Sequence, residues 1–325
     1  MITVEVSNDK QAWNEEILER GGHPLQLWNW GEVKSAHNWK AEHVFVRKDG
    51  DIIGAAQLLV RSLPKPLSSL VYIPRGPVCG ESDREEVLGE LAEYSKETYS
   101  AVAITIEPDW HSMEAIDGWK KSDNNILLAR TLILDLTQTE DDLQQHMTKK
   151  TRQYIRKSAS ESIEIRKVKR EELDACLDIY KQTAKRAGFA LHADKYYYDI
   201  FDMMGEYSPV YAAFSNNKPI AFLWLAISEM TAFELYGGMN EEGQQLRANY
   251  ALKWHAITLM KKWGLERYDM NGLLNDGVST FKQGFADHED MLVGTYDKSL
   301  SPLYTVWSKG LPLAKQVVRK IKSLR

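Results

Sequence analysis

Cysteine is nearly absent from this sequence, with two in 325 residues. Cys79 and Cys176 lie far apart and match no metal-ligand spacing. This argues against a disulfide framework and makes a reducing compartment the expectation. Long apolar runs are missing too. The longest uncharged apolar run, Pro219–Ser228, has about ten residues, too few to span a bilayer. The opening residues MITVEVSNDK show no basic region followed by an apolar stretch, so no secretory leader is read there and a cytoplasmic protein is expected. No G-x-x-x-x-G-K-[ST] and no G-x-G-x-x-G occurs, which argues against a nucleotide triphosphatase or a dinucleotide enzyme. The eight histidines include no H-E-x-x-H, and neither a metal nor another cofactor is expected. Serine chemistry has no support either. G-x-S-x-G is absent, Ser122-Asp-Asn124 precedes Ser279-Thr-Phe-Lys282 in the reverse of a serine acyl-enzyme order, and no K-T-G follows. In Ser62-Leu-Pro-Lys65 the prolines at 64 and 66 break the helix that such a motif needs.

Charge of one sign is lacking overall. Lys+Arg number 41 and Asp+Glu 46, for a net −5, which excludes a uniform polycation. The distribution is uneven. Residues 298–325 carry seven basic residues and no acid, leaving −12 for residues 1–297. What is present is an ordinary globular composition, 43% apolar and 27% charged, with ten tryptophans. The length suggests two domains.

The apolar periodicity gives an ordered set of elements. A strand is expected over 2–6, helices over 10–20 and 26–39, and two strands over 42–47 and 52–61 joined at Lys48-Asp-Gly50. A third strand leads into Tyr72-Ile-Pro-Arg-Gly-Pro77, then come a helix over 82–98 and a strand over 101–107. The same order returns later. Strands are expected over 210–214 and 220–228 around Asn216-Asn217, then over 231–236, followed by a helix over 247–263 with Gly264 as its cap and a strand over 267–271. Gly50 to Asn217 is an offset of 167, while Tyr72 to Tyr236 and Ile104 to Tyr268 are each 164. Three ordered matches point to a duplicated α+β unit. A bridging helix over 141–159 turns Leu143, Met147, Tyr154 and Ile155 inward. Its other face carries Lys149, Lys150, Arg152, Arg156 and Lys157, either a phosphate-binding surface or a solvated helix face. A further helix over 171–187 ends in Lys185-Arg186. A basic amphipathic helix over 312–324 either rests on an anionic membrane or docks on the body. After Asp269-Met-Asn-Gly272, the loop containing Phe281, Lys282 and Phe285 places a lysine between aromatics. It reads as a fixed cation for an oxyanion or phosphate, or as a surface lysine on a packed loop.

Taken together, several segments resemble the Fem peptidyltransferases (FemA, FemB and FemX), which build peptidoglycan cross-bridges from aminoacyl-tRNA. They are Trp30-Gly-Glu-Val-Lys34 with Trp39, Tyr72–Pro77, Lys150–Lys157, Tyr236-Gly-Gly-Met239, Arg247–Ala256, Tyr268–Gly272 and Phe281–Phe285. The resemblance implies two tandem GNAT-like (acyl-CoA N-acyltransferase-like) α+β domains with mixed central sheets. The first covers 1–138 and the second 139–297, with the tail 298–325 returning to the first. A coiled-coil arm has no room, as in the short FemX-like form. The implied activity moves an amino acid from aminoacyl-tRNA to the third-residue side-chain amine of the stem peptide, on UDP-MurNAc-pentapeptide or lipid II. Lys34 and Arg186 fall where the acceptor diphosphate is bound. Phe281 and Lys282 fall at the reacting centre, and Tyr72, Arg75, Tyr236 and Glu107 in the acceptor pocket. The basic bridging helix falls to tRNA. A monomer at the inner face of the membrane, touching it through the basic tail, completes the expectation. The rivals are an acyl-CoA N-acyltransferase, which the glycine-free Gln244–Asn249 turn disfavours, and a non-catalytic RNA- or membrane-binding module.

Overall fold

The computed structural model describes residues 1–159, 161–274 and 276–310. The chain divides into two compact units. Unit 1 combines residues 1–20 and 26–129 with the chain from Leu292, and unit 2 combines residues 21–25 and 130–291.

Unit 1 holds β1 (Ile2–Ser7), α1 (Lys10–Glu19), α2 (Trp28–Ser35), β2 (Lys40–Lys48), β3 (Asp51–Ser62), β4 (Ser69–Pro74), β5 (Val78–Cys79), α3 (Arg84–Tyr99), β6 (Ala101–Glu107) and β7 (Trp119–Lys121). Its sheet runs β1-β2-β3-β4-β6, then a strand from the far end of the chain, Tyr296–Ser299, then β7, with β5 on β3. β1 to β4 are antiparallel, and β4 and β6 are parallel. A parallel pair needs a crossover, and α3 supplies it. The β2–β3 turn is set by Asp49 (φ 52°) and Gly50 (φ 102°), a pair suited to a two-residue hairpin. Val87, Leu88 and Leu91 form the helical stripe of α3 that packs on Val71, Ile104 and Ile106. All seven residues of β6 are buried, as befits a strand covered on both faces.

Unit 2 opens with β8 (Arg130–Thr131) and β9 (Ile133–Asp135), then α4 (Glu140–Gln145), α5 (Lys149–Ala159), β10 (Glu164–Lys167), α6 (Leu173–Ala187) and α7 (Asp194–Met204). There follow β11 (Val210–Ser215), β12 (Lys218–Ile227), β13 (Thr231–Met239), α8 (Glu241–Gln245), α9 (Ala248–Lys262), β14 (Arg267–Asp269), α10 (Gly277–Gln283) and β15 (Asp290–Met291); the unit 1 strand Tyr296–Ser299 is β16. The second sheet runs β10-β11-β12-β13-β14-β9, and β15 pairs β8 separately. β10 to β13 are antiparallel, β13 and β14 are parallel across the α9 crossover, and β9 closes antiparallel on β14.

The two sheets therefore share one topology, four antiparallel strands, a helical crossover to a parallel strand, and a closing antiparallel strand. The turn at Asn216 (φ 49°) and Asn217 (φ 60°) matches Asp49-Gly50. The ladders correct one expected correspondence. Leu59 faces Tyr72 and Ala226 faces Phe233, so Tyr72 corresponds to Phe233 rather than to Tyr236. Val71 facing Ile104 and Ala232 facing Tyr268 give the same answer. The connection after β12 is shorter than that after β3, which displaces the aromatic match.

Other expectations also change. The bridging helix is two helices. The break at His146–Thr148 is held by Arg152, whose Nη1 donates to the carbonyls of Gln144 (2.9 Å), Gln145 (3.2 Å) and Met147 (2.6 Å), and by Thr148 Oγ1, which accepts from Thr151 N (3.2 Å). The loop after β14 contains α10. The aromatic-rich α7 had not been foreseen. The expected helix over 312–324 lies outside the described residues. The longest described helix is α3, with 16 residues, and no described helix is long and apolar enough to cross a membrane.

Candidate functional site

In unit 2, β13 and β14 pair only from Thr231 to Phe233 and from Arg267 to Asp269, while β13 runs on to Met239 beside β12. Beyond that point the two parallel strands part, and the fork collects polar groups. Glu234, the first β13 residue past the pairing, is buried. Lys253 Nζ, buried on α9, donates to both its oxygens at 2.6 and 2.8 Å. Tyr268 OH donates to Glu234 Oε1 (2.9 Å), and Asn271 Nδ2 donates to the Glu234 carbonyl (2.9 Å). Asn271 N in turn donates to Asp269 Oδ1 (2.7 Å), to which Thr131 Oγ1 also donates.

Lys282 reaches this fork from α10. Its Nζ donates to the carbonyls of Gly272 (3.1 Å) and Asn271 (3.3 Å). The helix starts where Asp276 accepts from Ser279 N (2.8 Å) and Ser279 Oγ (2.7 Å), an N-cap that consumes the serine of the S-x-x-K pattern. Those bonds, led by the one from Ser279 N, hold the Asp276 carboxyl below its usual range. Burial pulls Lys282 down to about 8. Glu234, Asp269 and Asp276 oppose that shift, and Lys253 reinforces it. Phe281 packs edge-on to Tyr250 (4.9 Å) and Phe285 (5.3 Å), and the Lys253 ammonium lies over both phenylalanine rings, at 5.1 and 5.7 Å. A Cβ on Gly284 would meet Thr151 Oγ1 at 2.4 Å, so a larger residue there would force the Thr151 side chain to shift.

The Phe281 ring leads outward to α5. Tyr250 contacts Tyr154 (5.1 Å), and Tyr154 lies beneath Lys150 (5.6 Å) and Arg247 (4.7 Å). Lys149, Lys150, Arg156 and Lys157 are exposed, so four of the five expected cations form an open face. Arg152 departs from this, its guanidinium turned to backbone carbonyls. Elsewhere in unit 2, Tyr236 sits among Tyr180 (5.4 Å), Tyr197 (5.2 Å) and Trp224 (5.8 Å), and burial raises its hydroxyl well above the usual range. Arg186 Nη2 donates to the Met239 carbonyl (2.6 Å) at the end of the same strand.

In unit 1 the four expected residues form two connected groups. Lys34 lies 4.7 Å from the Trp30 ring; burial, then repulsion from Arg61, lowers it to about 8. Arg61 lies over Trp39 (5.1 Å), and Trp39 is 6.2 Å from Tyr72. Tyr72 OH donates to Glu107, whose carboxylate also accepts from Ile126 N (2.6 Å), Leu127 N (3.0 Å) and Thr295 Oγ1 (2.7 Å). Four donors occupy a carboxylate with about four lone-pair sites. Arg75 N donates to the Glu107 carbonyl (2.8 Å), with Arg75 held at φ 53°.

Glu234, Lys253, Tyr268 and Asn271 had not been singled out as site residues. A lysine in mid-helix reads as a surface residue. The one available signal is that Lys253 sits on the apolar side of α9, next to Leu252 and four residues before Ile257. Among the described residues no cluster of three or more His, Cys, Asp or Glu could hold a metal ion. Burial pushes both thiols, Cys79 and Cys176, up to about 12, so neither is a thiolate at neutral pH.

The chain is similar to several known proteins in sequence and in fold. The chain is 29% identical over 203 residues to a protein of Staphylococcus haemolyticus named lipid II:glycine glycyltransferase, and 30% identical over the same length to its Staphylococcus aureus (strain MRSA252) counterpart. Each match covers 57% of this chain and 48% of the relative, so the chain spans about half the length of the curated relatives it matches. A crystal structure of FemX superposes with a TM-score of 0.84 at 20% identity, covering 94% of this chain and 100% of that one. A tandem GNAT protein from the clavulanic acid biosynthesis pathway superposes at 0.53 and 12% identity, covering 93% and 99%. The FemAB family model matches residues 11–132, 117–218 and 209–309, and the chain belongs to that family.

Proposed function

We propose that the protein is a non-ribosomal aminoacyltransferase that moves an amino acid from aminoacyl-tRNA to the third-residue side-chain amine of the peptidoglycan stem peptide, carried on lipid II or UDP-MurNAc-pentapeptide. The observation that carries this reading is Lys282, a half-buried cation fixed by two carbonyls at the fork of β13 and β14. The names of the staphylococcal relatives support the same direction.

An aminoacyl ester is already activated. The neutral acceptor amine attacks its carbonyl carbon, a C–N bond forms, the ester C–O bond breaks, and the amine's proton ends on the departing ribose hydroxyl. The enzyme has to orient the two substrates and stabilise the oxyanion between them. Lys282, protonated below about 8, donates to that oxyanion, with Phe281 beside it. No nucleophile is required, in keeping with two protonated thiols and a serine spent on a helix cap. Lys34 and Arg186 bind the acceptor diphosphate, Tyr72, Arg75 and Tyr236 line its pocket, and Glu107 acts by holding the 126–127 backbone. Lys149, Lys150, Arg156 and Lys157 bind tRNA phosphates. The protein works as a monomer in the cytoplasm, at the inner membrane face when its acceptor is lipid-linked.

The test is incubation with a mixture of charged tRNAs and either lipid II or UDP-MurNAc-pentapeptide, read by mass spectrometry. An aminoacyl mass increment on one acceptor is expected. No increment on either would overturn the proposal.

A further inference from the structure

The Lys253–Glu234 pair is a poor source of stability where it stands. Both side chains are almost wholly buried, at 4 and 5% exposure. Desolvating two such charges costs several kcal/mol, and apolar residues of like volume commonly do as well or better. The pair nevertheless sits where β13 and β14 separate, beside the lysine assigned to the reaction.

Its connections run towards Lys282 by two routes. The first is through the backbone. The Glu234 carbonyl receives Asn271 Nδ2, and the Asn271 carbonyl receives Lys282 Nζ. The second is through α10, because the Lys253 ammonium lies over Phe281, the residue before Lys282, and over Phe285, three residues after it. We propose that Lys253, acting through Glu234, is a positioning residue for Lys282, holding the lysine's segment in place and keeping its charge state under the control of a buried neighbour pair.

This rests on the role given to Lys282 above. The charged groups facing Lys282 are Glu234 on β13, Lys253 on α9, Asp269 on β14 and Asp276 ahead of α10; burial has the largest influence and Glu234 the next. Glu234 favours the Lys282 ammonium and Lys253 opposes it. In Lys253→Met the carboxylate keeps the Tyr268 hydroxyl and has Lys282 as its remaining near cation. The Lys282 ammonium is then favoured and its titration moves upward. In Glu234→Gln the favourable anion is gone while Lys253 remains, and the titration moves downward.

The experiment reads Lys282 itself. Lysines are reductively methylated with ¹³C-formaldehyde, and the Lys282 resonance is assigned by its loss in Lys282→Arg and titrated by NMR. Its midpoint is expected to rise by about one pH unit in Lys253→Met, fall in Glu234→Gln, and return towards the wild-type value in Lys253→Arg. Thermal unfolding confirms that each variant is folded. The alkaline limb of the transfer pH profile should move with the NMR midpoint. A Lys282 midpoint unchanged in folded Lys253→Met and in folded Glu234→Gln overturns the inference. Should Lys253→Met fail to fold, Glu234→Gln decides alone. Because the titration needs no substrate, shifted midpoints in a protein that transfers nothing would sink the aminoacyltransferase reading and leave the coupling standing.

Discussion

At the scale of single residues, the proposed transfer depends on one cation. Replacing Lys282 with Met should remove the oxyanion donor. The expected loss in transfer rate is about 10²–10³-fold, with an unchanged melting temperature, measured by steady-state assay beside calorimetry. The pH dependence follows from the same group. Burial lowers Lys282 to about 8, and the protonated form is the donor. Transfer should therefore fall as pH rises through about 8, a limb absent from any residual Lys282→Arg activity below pH 10. Glu107 makes a different prediction. Its carboxylate accepts from Tyr72, Ile126, Leu127 and Thr295. Glu107→Gln points an amide NH₂ at donors, so a loss of about 1–3 kcal/mol in stability is expected in urea unfolding. Phe281 and Lys282 were legible because a lysine between aromatics is visible in one segment. Lys253 and Glu234 were not, because their pairing joins a helix to a strand and each alone reads as ordinary surface charge.

At the scale of elements, α5 separates two uses of the same residue type. Lys149, Lys150, Arg156 and Lys157 point to solvent, whereas Arg152 holds the end of α4. Charge reversal at the four exposed positions should weaken tRNA binding and flatten its salt dependence, with no change in thermal unfolding. Arg152→Ala should do the reverse, lowering the melting temperature with only a small loss in affinity. Filter binding at two salt concentrations, paired with calorimetry, separates them. Helical periodicity showed which side of 141–159 is apolar, yet it could not show that a guanidinium was closing a chain break. Hairpin turns were the most legible elements, since Asp49-Gly50 and Asn216-Asn217 adopt the positive φ that their residue types tolerate. The short closing strands β9 and β16 were the least legible, because no local pattern distinguishes three or four residues that pair far along the chain.

At the scale of the whole molecule, each unit's sheet is closed by a strand far in sequence from the one it pairs. β16 pairs β6 in unit 1, and β9 pairs β14 in unit 2. The duplication could be read from the repeated order of strands and helix, but the exact correspondence needed the ladders, which moved the partner of Tyr72 from Tyr236 to Phe233. Ending the chain after Met291 should strip β6 of its neighbour and remove the bonds from Thr105 Oγ1 to Asp297 (2.6 Å) and from Thr295 to Glu107 (2.7 Å). Hydrogen exchange should then show lost protection in β6 and β4 and retained protection in β11 to β14. Equal loss in both sheets would contradict this.

The position of β16 also fixes an order of events during synthesis. A nascent chain normally completes its domains from the N-terminus onward. Here every strand of the second sheet has been made by residue 269, while the first sheet still lacks the strand that begins at Tyr296. The half of the protein translated first is therefore the half completed last, and until then the buried strand β6 has an open edge for a chaperone, or for another nascent chain, to meet.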